Sequence, residues 1–373
     1  MKSIRLLALL LSLTAAQAEV KLSKVFTPHM VLQRDMPVPI WGTASAGESV
    51  SVSFAGQTKT ATADANGQWR VKLDALKANT EPSTLNIGTL KIDDVLVGDV
   101  WVGSGQSNMD MVVSSYTKDD AVLDAAAKQS YPKLRLLRKD ASATWETATP
   151  ESITKFSALL FSFGHALSKD VDVPIGLMVG AVGGTPSGFW LSEEMYLNDA
   201  ACAAAVKQHS PSYNYEALMA AYQQAKAKYD TELAAWKIEA DAAKKAGKEA
   251  PRGPRGPQAV GKPGEANTGK IGQLFEAFIR PYVGYAIKGV LWDQGESRTN
   301  IACVPQYELM GALIKGWRAA WGQGDFPFIY VQKPSGGGCA WDYSNPIHIK
   351  ADPFRPQPAA IPAPPALDYS HTY

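Results

Sequence analysis

The sequence predicts an α/β protein: a three-layer α/β/α domain built on a parallel sheet, preceded by a small antiparallel β-sandwich. Three observations predict it. From Val20 to about Asp93 apolar and polar side chains alternate, with no long helical pattern. From Val95 onward, apolar runs alternate with helical stretches. Three of those runs, Val95 to Val102, Val173 to Gly180 and Lys288 to Trp292, each end in a glycine-containing polar turn. Period-two alternation marks half-buried strands, whereas solid apolar runs between helices mark the strands of a sheet covered on both faces.

Taken in order, the chain opens with a short basic stretch, Met1-Lys2-Ser3-Ile4-Arg5, an apolar core from Leu6 to Leu13, and the small-x-small sequence Ala16-Gln17-Ala18. That is the pattern of a secretory signal peptide over residues 1–18, cut near Ala18, and it predicts an exported protein, periplasmic or extracellular. No later apolar run approaches the ~20 residues of a membrane span. Residues 19–94 follow as the β-sandwich. Val50, Val52 and Phe54 alternate, as do Trp69, Val71 and Leu73, and Asn66-Gly67 between them suits a tight hairpin turn. The α/β domain occupies residues 95–373. Phe156 to Lys169 reads as a helix before the Val173 run, and Phe326 to Val331 is a fourth apolar run. Residues 210–269 interrupt the alternation. Ser210-Pro211 fits an N-cap followed by proline at the first helical position. Tyr215, Leu218, Tyr222, Ala225, Tyr229, Leu233 and Trp236 then form one apolar face of a long helix. Ala242 to Lys248 is polar and alanine-rich. Pro251 to Gly269, rich in Pro, Gly and Lys, reads as a mobile loop or linker.

The chain has 373 residues, 46% hydrophobic and 20% charged, enough for a large core and about two domains. A net charge of +1 favours neither nucleic acid nor an anionic membrane surface as partner. Cys202, Cys303 and Cys339 are an odd set, so at most one disulfide forms among them. Neither Cys-x-x-Cys nor His-x-x-x-His spacing occurs, so no structural zinc is expected.

Gly105-Gln106-Ser107-Asn108-Met109 is the chemically most telling stretch. A serine on a turn just past a buried strand has its Oγ exposed, with backbone N–H groups nearby to receive an oxyanion. The second glycine of a Gly-x-Ser-x-Gly elbow is absent, and a serine after Gly-x is most often a turn or cap residue. Two similar turns, Gly183-Gly184-Thr185 and Asp293-Gln294-Gly295-Glu296, raise the weight of Ser107 as a nucleophile. In open α/β sheets the ligand crevice lies at the C-terminal strand ends. A serine nucleophile needs a base and an acid to orient it. The histidines are His29, His165, His209, His348 and His371. Only Asp368-Tyr369-Ser370-His371 carries an Asp-x-x-His spacing, and it follows a proline-rich tail without an apolar run before it.

Gly105-Gln106-Ser107-Asn108-Met109, Gly183-Gly184-Thr185 and Trp292-Asp293-Gln294-Gly295-Glu296 resemble the sequence blocks of the SGNH-type carbohydrate esterases. Within that group they are most similar to the sialate O-acetylesterase family, which includes acetylxylan esterases. Met30-Val31-Leu32-Gln33-Arg34, Gly98-Asp99-Val100-Trp101 and Phe328-Ile329-Tyr330-Val331-Gln332 extend the resemblance over roughly Leu22 to Pro334. It implies an SGNH-hydrolase-like fold and a carboxylic ester hydrolase that removes O-acetyl groups from sugars of the sialic acid or xylan type. It implies Ser107 as nucleophile. The oxyanion donors would be the Ser107 N–H, a glycine of the Gly183-Gly184 pair and the Gln294 side-chain amide. No metal or organic cofactor is implied. Asp110 stands where the family often has Glu, and Glu296 reads as a loop-holding carboxylate. The β-sandwich has either a structural or a sugar-binding role.

The family's closing Asp-x-x-His block normally follows another strand and precedes a final helix. Asp368 and His371 have the spacing without that setting, so the expectation is a chain that ends before the true block and has little esterase activity. Two alternatives stay beside the acetylesterase reading: a carbohydrate-binding remnant of such an esterase, and a general carboxylesterase.

Overall fold

The fold is described from a computed structural model, which defines residues 20–139, 144–295 and 297–331. The expected signal peptide, Glu296, Cys339, His348, Asp368 and His371 lie outside the described residues.

The β-sandwich contains β1 (Lys21–Leu22), β2 (Val31–Gln33), β3 (Val38–Thr43), β4 (Ser49–Phe54), β5 (Gln57–Thr62), β6 (Gln68–Leu73) and β7 (Asn79–Ile87). β1, β3 and β6 form one antiparallel sheet, and β4 pairs antiparallel with β5 and β7. The alternating residues behave as expected: Val50, Val52, Phe54, Trp69, Val71 and Leu73 are all buried. The hairpin expected at Asn66-Gly67 is corrected. That turn carries the chain from β5 in one sheet to β6 in the other, and the Asp64 carboxylate holds it by accepting the N–H groups of Asn66 and Gln68. The tight hairpin is instead the β4–β5 turn at Ala55-Gly56, where both residues have positive φ (47° and 77°) as a type I′ turn requires.

β8 (Leu90–Gly105) joins the two parts. Its first half pairs with β7 and β2; its second half pairs in parallel with its neighbours in the α/β domain. The junction expected between residues 94 and 95 therefore falls inside one unbroken strand. Beyond it come α1 (Ser107–Asp110), α2 (Ala121–Ala127), β9 (Tyr131–Leu137), β10 (Glu146–Ala148), α3 (Pro150–Thr154), α4 (Ala158–Asp170) and β11 (Ile175–Ala181). They are followed by α5 (Glu193–Leu197), α6 (Ala200–His209), α7 (Tyr215–Lys245), β12 (Gly289–Asp293), α8 (Gln306–Trp321) and β13 (Phe328–Tyr330).

The main sheet runs β10–β9–β11–β8–β12–β13, parallel except for β10 at one edge. Every residue of β11 and β12 is buried, which is why both read as solid apolar runs. On one face Leu134, Leu177 and Leu291 pack with Leu123 of α2 and Leu160 and Phe161 of α4. On the other, Met178, Val290 and Trp292 pack with Leu309, Leu313 and Trp317 of α8. This is the expected three-layer arrangement.

The sandwich is tied to the sheet by polar groups as well. Arg34 grips Asp99 with two bonds of 2.9 Å, and the Gln33 Oε1 accepts the Val100 N–H at 2.8 Å. Burial pushes the Asp99 carboxyl up, but hydrogen bonding and charge from Arg34 outweigh it, so the group sits below its ordinary value. A lowered carboxylate contributes stability above its unfolded pKa of about 4, and that contribution is lost as pH falls through the folded value. Asp94, lowered mainly by its hydrogen bond from Arg135, acts in the same direction. Urea unfolding should therefore show falling stability below about pH 5. Arg34→Gln should shrink that loss, because Asp99 keeps the burial that raises its pKa without the guanidinium that lowers it, and an unchanged pH profile in the variant would refute the assignment.

The insertion differs from expectation in three ways. Ser210-Pro211 forms a short 3₁₀ turn, and Asn214 caps the long helix instead, its Oδ1 accepting the Ala217 N–H at 3.0 Å. α7 continues through the polar Ala242 to Lys245. The Pro/Gly-rich segment, expected as a mobile linker, runs back along the helix over residues 251–261. Trp236 Nε1 donates to Pro251 O at 2.7 Å, and Tyr213 Oη donates to Gly261 O at 2.9 Å. The Trp236 ring fills the space where Gly253 would carry a Cβ, and the Tyr229 ring does so at Gly256. The match is one of period. Three residues of polyproline II rise about 9 Å, close to the ~10.5 Å between Tyr229 and Trp236, seven residues apart on the helix. Pro251, Pro254 and Pro257 keep that period. Trp236→Ala should release the segment, so that trypsin cuts after Arg252 and Arg255 roughly tenfold faster. Cleavage at the wild-type rate would show that the ring does not hold it.

Candidate active site

Ser107 sits at the C-terminal edge of the parallel sheet, directly after β8. Gly105 ends the strand at φ 131°, and the turn is wedged between its neighbours: Gln106 N–H donates to Asp293 O at 2.9 Å and Val182 N–H to Gly105 O at 3.1 Å. Ser107 is the first residue of the single-turn helix α1 and is half-buried. Met109 is fully buried below it and anchors the turn among Val113, Phe156 and Leu160. No hydrogen bond of the Ser107 hydroxyl forms among the described residues.

The two other turns named in the sequence lie at the same edge, after β11 and β12. Gly183 packs on the serine; a Cβ built there would stand 3.6 Å from both Cα and Cβ of Ser107. Its N–H is engaged, donating to Asp110 Oδ2 at 2.9 Å. Gly184 has φ 73° and open space beside it. Gln294 is buried, and its amide nitrogen donates to Thr185 O and Arg298 O, both at 3.2 Å. Gln306 donates to Gln294 Oε1, and Ser187 Oγ to Gln306 Oε1 at 2.9 Å. Gln294 thus ties the loop after β11 to the loop after β12. To donate to an oxyanion it would have to give up one of those two long bonds. Ser297 Oγ donates to Gln106 Oε1 at 2.8 Å, which brings the β12 loop against the serine turn.

The residue that sequence reasoning missed is Lys139, two positions past the end of β9. It pairs with Asp110 Oδ1 and donates to Ala181 O at 2.7 Å. Its strand escaped notice because Arg135 interrupts the run Leu134 to Leu137. That arginine is buried only because it meets Asp94 with bonds of 2.7 and 2.9 Å.

The described histidines are elsewhere. His29 bonds Asp94 at 2.5 Å, thirteen residues upstream of Ser107 on a fully extended strand. His165 stacks on Phe161 and touches Tyr131, at the strand-start edge of the sheet; burial and nearby Lys169 push its pKa down. His209 ends α6. Among the described residues no group of His, Cys, Asp or Glu could hold a metal ion. No helix there is long and apolar enough to cross a membrane. Cys202 is a buried thiol, pushed up to about 12 by burial and by Asp199 beside it.

A serine at a strand end with a glycine packed on it is a geometry shared by several hydrolase groups. Residues 97–239 match the model of a family described as carbohydrate esterase, sialic acid-specific acetylesterase. That stretch is similar to the family over its whole matched length. The match begins inside β8, two residues before the sheet that carries Ser107, and spans the serine turn, the Gly183-Gly184 turn and most of α7. Sialate O-acetylesterase of Rattus norvegicus is 28% identical over 345 residues, covering 82% of this chain and 59% of the relative. Sialate O-acetylesterase of Homo sapiens is 28% identical over 346 residues, covering 82% and 55%. A solved carbohydrate acetylesterase from Xanthomonas citri superposes with a TM-score of 0.59 at 26% identity, over 84% of this chain and 60% of that one. The chain thus spans less than two thirds of the length of these relatives.

Proposed function

We propose that the protein is an exported serine esterase that removes O-acetyl groups from carbohydrate, of the kind the sialate O-acetylesterases act on. The observation that carries this reading is the placement of Ser107 on the strand-end turn, with Gly183 packed on its Cα and Cβ. Ser107 Oγ attacks the acetyl carbon and its proton passes to a base. The carbonyl oxygen takes the negative charge, facing the Ser107 N–H and the Gly183-Gly184 loop, with Gln294 as a further donor once it releases a loop carbonyl. Collapse expels the sugar hydroxyl, which takes back the proton and leaves an acetyl-serine. Water, deprotonated by the same base, attacks that ester and frees acetate. Asp368 and His371 have the spacing of such a pair without the strand and helix that frame it in the family, and they are the first residues to test as acid and base.

Acetate release from 4-nitrophenyl acetate and from O-acetylated sialic acid and xylan tests the reading. Turnover that is lost in His371→Ala supports the whole assignment; turnover unaffected there redirects the base to His348 or His209. Binding of acetylated sugar without acetate release identifies the carbohydrate-binding remnant instead. Hydrolysis of simple esters with no preference for acetylated sugars identifies a general carboxylesterase. Export is checked by the N-terminus of the secreted protein, expected just after Ala18.

A further inference from the structure

We propose that Lys139 is a positioning residue for this site. Acting through Asp110, it sets Gly183 beside Ser107 and leaves Gly184 N–H as the amide of that loop that meets the oxyanion. The proposal rests on the esterase reading for its catalytic part and on geometry alone for its structural part.

The Asp110 carboxylate is shared. One oxygen pairs with Lys139 Nζ; the other accepts the Gly183 N–H at 2.9 Å. Lys139 Nζ also donates to Ala181 O at 2.7 Å, the last carbonyl of β11. One ammonium therefore joins three pieces of chain: the helix that begins with the nucleophile, the end of β9, and the strand that leads into the glycine turn. Asp110 lies one helical turn after Ser107, so its position and the serine's are rigidly coupled. Both side chains are less than a third exposed, at 27% and 29%, so water screens the pair less than it would an open surface pair.

The donor assignment follows from the same bonds. An N–H satisfied by a carboxylate at 2.9 Å is spent, and a second acceptor at full strength would have to displace Asp110. The carboxylate is also the wrong neighbour for an oxyanion unless its charge is balanced, and Lys139 balances it. Gly184, left-handed at φ 73° with nothing packed where a Cβ would be, carries the next amide of the same turn.

The full chain is compared with Lys139→Met, Lys139→Arg and the control Lys133→Met. The control removes an exposed partner of Asp172 far from the site. Three quantities are read: kcat and KM on 4-nitrophenyl acetate, amide hydrogen exchange over residues 181–188, and Tm. Lys139→Met should lower kcat about 10- to 100-fold, the scale of a misplaced or lost oxyanion donor. KM should stay within about twofold. Amides of the glycine turn should exchange roughly tenfold faster, with Tm close to the control's. Lys139→Arg should recover most of kcat, since it restores the charge. The proposal is overturned by wild-type exchange in Lys139→Met, whatever kcat does. It is equally overturned by a kcat loss that only tracks a fall in Tm. If the wild type hydrolyses no acetyl ester, the esterase reading fails, and the exchange result alone upholds or overturns the clamp.

Discussion

With the catalytic base in place, replacing Ser107 with alanine is expected to lower acetyl-ester turnover about 10⁶-fold, equivalent to about 8 kcal/mol of transition-state free energy. The size follows from the role. Without Oγ no acetyl-enzyme forms, and the base has no nucleophile to activate, so serine and base are lost together. Oxyanion donors and substrate binding remain and leave roughly 10³–10⁴ over the uncatalysed rate. Stability should hardly change. Ser107 is half-buried, and its hydroxyl makes no hydrogen bond among the described residues, so its removal orphans no buried group. The pairing of a large kinetic loss with an unchanged Tm is what separates a nucleophile from a turn-capping serine. A cap would give the reverse: about 1 kcal/mol of stability and little effect on rate. Retained turnover in Ser107→Ala would remove the serine mechanism altogether.

Much of the fold was legible because burial writes itself into composition. β11 and β12 are covered on both faces and read as unbroken apolar runs; β4 and β6 are covered on one and read as alternation. What escaped was whatever depends on contacts distant in sequence. The boundary at residues 94 and 95 was drawn where β8 turns solidly apolar at Val95, yet the strand stays paired with the sandwich strands through Gly98 and enters the parallel sheet at Asp99 without ending. β9 was hidden by a buried arginine whose partner lies 41 residues away. The residues 251–261 read as a linker by composition, because their packing surface is an aromatic face at period seven that only a three-residue repeat can follow. At the site, the three turns were visible as strand-end punctuation. The engagement of Gly183 by Asp110, 73 residues before it, was not, and neither was the tie that Gln294 makes between two loops.

Gly105→Ala is expected to damage both the fold and the site, through a single methyl group. Gly105 stands at φ 131°, a conformation side chains resist, and it faces Asp293 across the parallel ladder. A Cβ there would lie 2.1 Å from Asp293 O and 2.6 Å from its carbonyl carbon. Those are backbone atoms of a fully buried strand, so no side chain can turn aside, and β8 and β12 must part by an ångström or more. Parting them stretches the Gln106 N–H bond to Asp293 O, which holds the serine turn, and shifts Gln294, the first residue past β12. Strain and overpacking together should cost about 2–4 kcal/mol. Displacement of the nucleophile by about 1 Å should cost a further ~10²-fold in turnover of whatever remains folded. Denaturant unfolding and kinetics on the folded fraction separate the two losses. A variant that unfolds at the wild-type midpoint would show that the strand ends yield easily. The rigidity on which the placement of Ser107 depends would then have to come from the buried Met109 and the bonds of the glycine turn.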